Sequence, residues 1–375
     1  MLKLRFPLPV FRNALEIANG KNSRMALKGI NANKAAIIIS SSFKSSAYYE
    51  QVIRLIGSQS VKVIEKSWQG EPTVENLSTV VQELESFQPD YVIALGGGSI
   101  IDGAKIAWLL YECPTLSLED IYRPFSLPTL RGRCKFAAIP TTVGSGSEVS
   151  SAAVMFDIVS NSKKAVVTHD FLPDLVILDP ELVAEVPTNI LKTTVADALS
   201  HAVEGYVSKI DHPLMNSFAE QAVSIIYRYK NQFDHENWDI QMISDLQHAA
   251  MLAGWVQNHC VVGLSHAIAH QLSSFNISHG LANGLLMPKV IEFNSTDDTV
   301  VAKYEKLACN ANMVSPIELS NLFDILVSSQ KTILTFTDND LDIIARNALL
   351  DPAARTNPVF FTEADVKKVL KNVYN

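Results

Sequence analysis

The sequence predicts an α/β N-terminal half, built on a parallel sheet with helices on both faces, followed by an all-helical C-terminal half. Three observations predict it. Short, nearly continuous apolar runs alternate with longer amphipathic stretches as far as Asp179. Glycine-rich segments fall directly after two of those runs. Beyond Pro187 the apolar residues recur only at helical spacing.

Taken in order, the strand candidates are KAAIIIS (34–40), VKVIEK (61–66), DYVIALG (90–96), KFAAIP (135–140) and DLVILD (174–179). They are too short and too evenly apolar for surface helices, and they suit strands covered on both faces. The stretches 73–87 and 100–111 carry helical periodicity and supply crossovers. In the second half, SFAEQAVSIIYRY and DIQMISDLQHAAMLAGWV repeat that periodicity with no β-rich run between them. The division falls near 185. Residues 1–185 are expected to form an α/β dinucleotide-binding domain and 186–375 an all-helical metal and substrate domain, with a ligand cleft between them.

Composition excludes several classes. The 375 residues carry 31 basic and 39 acidic side chains, a net charge of −8, and no long Lys/Arg run. Nucleic-acid binding is therefore not expected. No run of about 18 apolar residues occurs, so no membrane span is expected. The opening MLKLRFPLPVFR lacks the apolar core of a signal peptide. Four well-separated cysteines (Cys113, Cys134, Cys260, Cys309) form no CxxC pair and read as reduced thiols of a cytoplasmic protein.

Two segments carry binding chemistry. Gly96-Gly97-Gly98-Ser99 lies between a strand and a helix, where backbone can approach a ligand and free helix N–H groups can meet a pyrophosphate. It is not GxGxxG, and it follows the third candidate strand, so an ordinary Rossmann fingerprint fits poorly. A ligand-free tight turn would use the same residues. The second segment, Pro140 to Glu148, follows a neighbouring strand and reads alone as a Ser/Gly loop. Together the two suit a nucleotide beyond the carboxyl ends of the strands.

All nine histidines fall between residues 169 and 279. Asp197 and His201 are four apart on one helix face, His266 and His270 repeat that spacing, and His279 precedes a glycine. One carboxylate and three imidazoles match a divalent transition-metal site with a position open. Spacing does not choose between His266 and His270 as the ligand, and a histidine on an apolar helix face often serves only the core.

These residues resemble the iron-activated (group III) alcohol dehydrogenase family over nearly the whole chain. GGGSIIDGAK (96–105) is similar to its GGGSxxDxAK, and PTTVGSGSEV (140–149) to its PTTxGTGSEVT. DPELVAEVP (179–187), DALSHAVEGYVS (197–208), HAIAH (266–270), HGLANGLLMP (279–288) and TNP (356–358) continue the match in order. The resemblance implies Fe²⁺ or Zn²⁺ on Asp197, His201, His266 and His279, with His270 near the nicotinamide and substrate. It implies NAD or NADP contacts from Gly97, Gly98, Ser99 and Asp102 around the pyrophosphate. Thr141, Thr142 and Ser145 would line the nucleotide pocket, and Lys163 would reach the ribose. It also implies a homodimer or larger homo-oligomer.

The chain departs from the family pattern in places. Ser40 stands where many members carry an Asp that holds the adenosine ribose, which leaves NAD against NADP open, and Lys44 is a candidate partner for a 2′-phosphate. The His270-to-His279 spacing is one residue short. On the expected substrate wall Gln257 replaces a frequent aromatic, Ala152 replaces an Asn, and His259 and Cys260 replace a blander pair. These changes suggest a hydroxylated substrate, while packing behind the site explains them equally. The expected activity is hydride transfer between an alcohol or aldehyde and a nicotinamide cofactor. Alternatives are oxidation of the C8 hydroxyl of a sugar acid such as 3-deoxy-octulosonate, and a catalytically silent nucleotide- and metal-binding relative.

Overall fold

The structure is a computed structural model and describes residues 11–159, 162–235, 238–330 and 335–374. The first half runs β1 (Glu16–Asn19), β2 (Ala32–Ile39), α1 (Ser41–Lys44), α2 (Tyr49–Leu55), β3 (Ser58–Glu65), α3 (Val74–Phe87), β4 (Tyr91–Gly96), α4 (Gly98–Glu112) and α5 (Leu118–Ile121). It continues with β5 (Lys135–Pro140), β6 (Ala152–Asp157), β7 (Ser162–Val167) and β8 (Leu175–Leu178). The second half holds α6 (Thr188–Val207), α7 (Pro213–Arg228), α8 (Ile240–Cys260), α9 (Leu264–Ala269) and α10 (His279–Asn294). It ends with α11 (Asp298–Asn310), α12 (Ile317–Val327), α13 (Asp338–Leu350) and α14 (Glu363–Tyr374).

All five expected strands join one parallel sheet of order β1-β8-β5-β4-β2-β3. Their apolar continuity has a direct cause. Ala36, Ile38, Val92 and Ala94 face one core, while Ile37, Ile39, Ile93 and Leu95 face another. Each fully buried Ile contributes about 1.5–3 kcal/mol, so both faces demand apolar residues. The chain runs from β2 outward to β3, then crosses back to β4 and proceeds the other way through β5. The carboxyl ends of β2 and β4 therefore flank a switch point, the expected ligand crevice of an open parallel sheet.

Two features escaped the sequence reading. Strand β1 is four residues long and draws its definition from pairing with β8. The antiparallel pair β6–β7 buries only Ala153, Met155 and Val166, too weak an alternation to register. Past Pro187, which caps α6, the described residues form helices and no strands, as expected. Among the described residues no helix is long and apolar enough to cross a membrane.

Specific contacts join the two halves. The Arg12 backbone N–H donates to His259 Nε2 at 2.9 Å, Phe11 stacks on the His259 ring, and Trp255 Nε1 donates to Asn13 Oδ1. The segment before β1 is thus tied to α8 while β1 itself pairs in the sheet. The loop after β5 meets α6 at Gly144, where an added Cβ would lie 2.7 Å from Thr194 Cβ and 2.9 Å from its carbonyl carbon. Gly144→Ala is therefore expected to cost about 1–3 kcal/mol of stability. Chemical denaturation checks this, and an unchanged midpoint would show that the loop shifts freely.

Candidate metal and nucleotide site

Helix α6 is buried on nearly all sides, so its polar residues need partners within the protein. Asp197, His201 and Glu204 occupy one of its faces at i, i+4 and i+7. Helix α9 supplies His266 and the first residue of α10 is His279. The Nε2 atoms of His201, His266 and His279 lie 3.9, 3.8 and 3.6 Å from the same oxygen, Asp197 Oδ1. Donors held by a tetrahedral metal at 2.0–2.1 Å sit roughly 3.4 Å apart, close to each of these three separations from Asp197 Oδ1.

Asp197, His201 and His266 form a buried knot whose donor atoms all lie within 4.8 Å of one another. His279 closes it from the rim, with a quarter of its side chain exposed. His266 Nε2 is buried and has no hydrogen-bond partner among the described residues. An orphaned nitrogen facing a carboxylate and two further imidazoles fits a metal ligand better than a core residue.

Supporting groups surround the knot. His266 Nδ1 lies 2.6 Å from Glu204 Oε2, which aims the opposite nitrogen inward. Glu204 also accepts the backbone N–H groups of Gly263 at 3.0 Å and Ser265 at 2.7 Å, one on each oxygen. Asn283 Nδ2 donates to Asp197 Oδ1 at 3.0 Å, and its own Oδ1 accepts from Ser265 Oγ. His270 stands beside the knot: its ring stacks on His279 at 5.3 Å, and its Nδ1 meets Asp351 Oδ2 at 2.8 Å. Sequence reasoning missed Glu204, Asn283 and Asp351. Glu204 was recoverable from its i+7 spacing to Asp197. Asn283 and Asp351 reach the site from 86 and 81 residues away and leave no local signal.

Burial lowers the His201 pKa to about 4 and that of His266 to about 3, with Asp197 opposing in each case. Burial also holds His279 well below the ordinary value, helped by the nearby Lys163. All three are neutral imidazoles at pH 7, the form that offers a lone pair. Burial raises Glu204 to about 7 against the pull of its backbone donors.

The nucleotide candidates assemble at the carboxyl edge of the sheet. Register pairs Gly96 with Pro140, so the two loops leave side by side. A Cβ on Gly98 would lie 2.7 Å from Ser145 Cβ, so glycine is required for their contact, and Thr142 packs against Gly97. Gly97 caps α4 without a side chain, leaving the helix N–H groups open. Thr141 joins through its backbone N–H to the Gly96 carbonyl. The Ser99 hydroxyl is committed within the protein: it donates to the Gly70 carbonyl and accepts from Trp68 Nε1 and Lys66 Nζ. Its backbone N–H remains for a ligand.

Other candidates are placed differently. Asp102 is buried, accepts the Val154 N–H at 2.9 Å and is raised to about 6 by burial. Lys105, buried beside it and lowered to about 8 by burial, donates to the Ser147, Ser150 and Ala152 carbonyls. This pair clamps the Ser/Gly loop and β6 onto α4. Lys163 pairs with Glu71 at 2.6 Å. Ser40 caps α1 by accepting the Phe43 N–H, and Lys44 pairs with Glu65 at 2.8 Å in an exposed ion pair. Gln257 Oε1 is buried without a hydrogen-bond partner among the described residues. His259 is occupied by the Arg12 and Trp255 backbones and Cys260 lies in the helical core, so both serve packing.

Glu204→Gln tests the support. Whichever way the amide turns, its NH₂ faces a backbone N–H on one side. The variant is expected to lose about 1–3 kcal/mol in metal-free protein, read by denaturant unfolding; equal stability would mean the loop rearranges.

Comparison with known proteins identifies the family. The family described as "Iron-containing alcohol dehydrogenase" matches residues 16–180, and "Fe-containing alcohol dehydrogenase family, C-terminal" matches 191–374. The NADPH-dependent butanol dehydrogenase of Clostridium saccharobutylicum is 31% identical, covering 99% of this chain and 98% of that protein. The 1-propanol dehydrogenase of Citrobacter freundii is 31% identical over 81% of this chain and 83% of its own length. The structure of an iron-containing alcohol dehydrogenase from Thermococcus thioreducens superposes with a TM-score of 0.87 at 26% identity, covering 97% and 99% of the two chains. From its motifs, its fold and these relatives, the chain belongs to the iron-containing alcohol dehydrogenase family.

Proposed function

We propose that this enzyme interconverts a small, polar alcohol and its aldehyde or ketone, using a divalent metal on Asp197, His201, His266 and His279 and a nicotinamide cofactor on the paired loops. The observation that carries the reading is the convergence of three imidazole Nε2 atoms on Asp197 Oδ1. Gly144 seats the loop after β5 on the same helix, α6, and Gly98 at the N-terminus of α4 lies against Ser145 of that loop. A metal held there supplies a Lewis acid for the alcohol oxygen, and the nicotinamide supplies the hydride acceptor.

The chain's own residues provide placement and proton handling. Glu204 and Asn283 hold His266 and Asp197 in position before any ligand arrives, so little reorganisation accompanies binding. Asp351 engages His270 Nδ1, which leaves Nε2 to take the alcohol proton and pass it to solvent. His270 suits that task because a fifth of its side chain is exposed while its ring rests on His279.

The substrate class rests on relatives that act on butanol and 1-propanol, and on Gln257. Its buried, unpartnered Oε1 would accept a hydrogen bond from a second hydroxyl on the substrate. That favours diols, and it keeps sugar acids such as 3-deoxy-octulosonate within range.

The experiment is turnover of metal-stripped protein reloaded with Fe²⁺ or Zn²⁺, across alcohols from 1-propanol through propanediol to sugar acids, with NAD⁺ and NADP⁺. Metal-dependent reduction of cofactor is expected. Binding of metal and nucleotide with no turnover of any alcohol would favour a catalytically silent protein. His270→Ala is expected to lower kcat by about 10²–10⁴-fold at unchanged metal content, and an unaltered rate would remove it from the mechanism. Glu204→Gln is expected to weaken metal binding by about 10–100-fold in chelator competition; equal affinity would make Glu204 purely structural.

A further inference from the structure

The carboxyl edge of β2 and β3 holds charges that the activity above does not use. Register pairs Ile39 with both Glu65 and Leu95, so Ser40, Lys66 and the start of the glycine turn leave the sheet in one row. The Lys66 backbone N–H donates to the Ile39 carbonyl at 2.9 Å, which fixes this lysine beside the end of β2. Its Nζ lies 3.4 Å from Ser99 Oγ, on the second residue of α4, and its ammonium lies over the Trp68 ring at 5.5 Å. Trp68 is itself buried and bonded to Ser99, so the lysine is supported by a rigid indole.

The charges around Lys66 are unevenly matched. Glu65 is taken by Lys44 at 2.8 Å, and Glu71 by Lys163 at 2.6 Å. Lys66 has no carboxylate within ion-pair distance among the described residues, and its only polar side-chain partner there is the Ser99 hydroxyl. Among the described residues Glu65 and Glu71 are thus each engaged by a lysine other than Lys66, and the end of β2 carries Ser40, a neutral cap. Burial draws the Lys66 ammonium below the ordinary lysine range, with Glu71 opposing. A partly desolvated cation of this kind gains most from a second, dianionic partner.

Resting on the nicotinamide reading above, we propose that Lys66 is a specificity-determining residue that pairs with the 2′-phosphate of the adenosine ribose and makes NADP(H) the preferred cofactor. A carboxylate at the end of β2 would repel that phosphate, and Ser40 does not. Lys44, the residue nearest Ser40 in sequence with the right charge, is already paired. The pyrophosphate has the open N–H groups of α4 to itself, so the lysine is left for the additional phosphate.

The test is equilibrium titration of the full-length enzyme with NADPH and NADH by nicotinamide fluorescence, alongside adenosine 2′,5′-bisphosphate and ADP as probes. Wild type is expected to bind NADPH at least tenfold more tightly than NADH, with the NADPH affinity falling more steeply as salt rises. Lys66→Met, which keeps the stem over Trp68, is expected to erase most of that ratio while changing NADH affinity less than about twofold. Lys66→Arg is expected to retain the ratio, which excludes a packing effect. Equal weakening of both cofactors by Lys66→Met would place the lysine on the pyrophosphate and overturn the proposal. So would an unchanged ratio, or a wild type that prefers NADH. Failure of wild type to bind either dinucleotide would instead bring down the nicotinamide reading on which the proposal rests.

Discussion

A single carboxylate oxygen, Asp197 Oδ1, organises the centre of this molecule. Three imidazole nitrogens and one amide lie within 4 Å of it, nearly all inside a helix-packed core. Burying an ionised carboxylate beside neutral, lone-pair-bearing nitrogens is costly without a cation. Asn283 offsets part of that cost by donating to the same oxygen. The same desolvation keeps His201 and His266 neutral at pH 7, with lone pairs available.

The surrounding structure follows from holding that point still. Helix α6 carries Asp197, His201 and Glu204 on one face and is buried along almost its whole length. Glu204 extends its hold to the turn before α9 through two backbone N–H groups, and the turn carries His266. Asp351, which also caps the turn at 352–355, steadies His270 from the far end of the chain. Asp197, His201, His266 and His279 thus each sit on a helix, and polar groups such as Glu204 and Asn283 orient them where packing alone would not.

The α/β half meets this centre through backbone rather than side chains. Gly144 lets the loop after β5 lie against α6, and Gly98 lets the glycine turn lie against that loop. The buried Lys105 binds three carbonyls of the same loop and so fixes its path from beneath. At this edge the Ser99 hydroxyl is engaged internally and the Ser145 hydroxyl accepts the Ser147 N–H. What remains for a ligand is open backbone N–H and an unevenly matched row of charges.

Much of this was legible in the sequence, for a physical reason. Parallel strands covered on both faces must be apolar throughout, so β2, β3, β4, β5 and β8 announced themselves, and α6 displayed Asp197 and His201 through the 3.6-residue period. The resemblance of seven ordered motifs to one family then implied His266 and His279 as further metal ligands. Elements defined by pairing rather than by burial, β1 and the β6–β7 hairpin, left no such trace. The i, i+4 spacing of His266 and His270 is compatible with either as a ligand; the resemblance favoured His266, and the structure places His266 facing the carboxylate while His270 turns to Asp351. Tertiary structure alone showed that His259 is taken up by the chain's N-terminal segment and that Lys44 is spent on Glu65 while Lys66 is not. Those outcomes depend on which group from a distant part of the chain arrives within hydrogen-bonding distance, and local sequence carries no record of that.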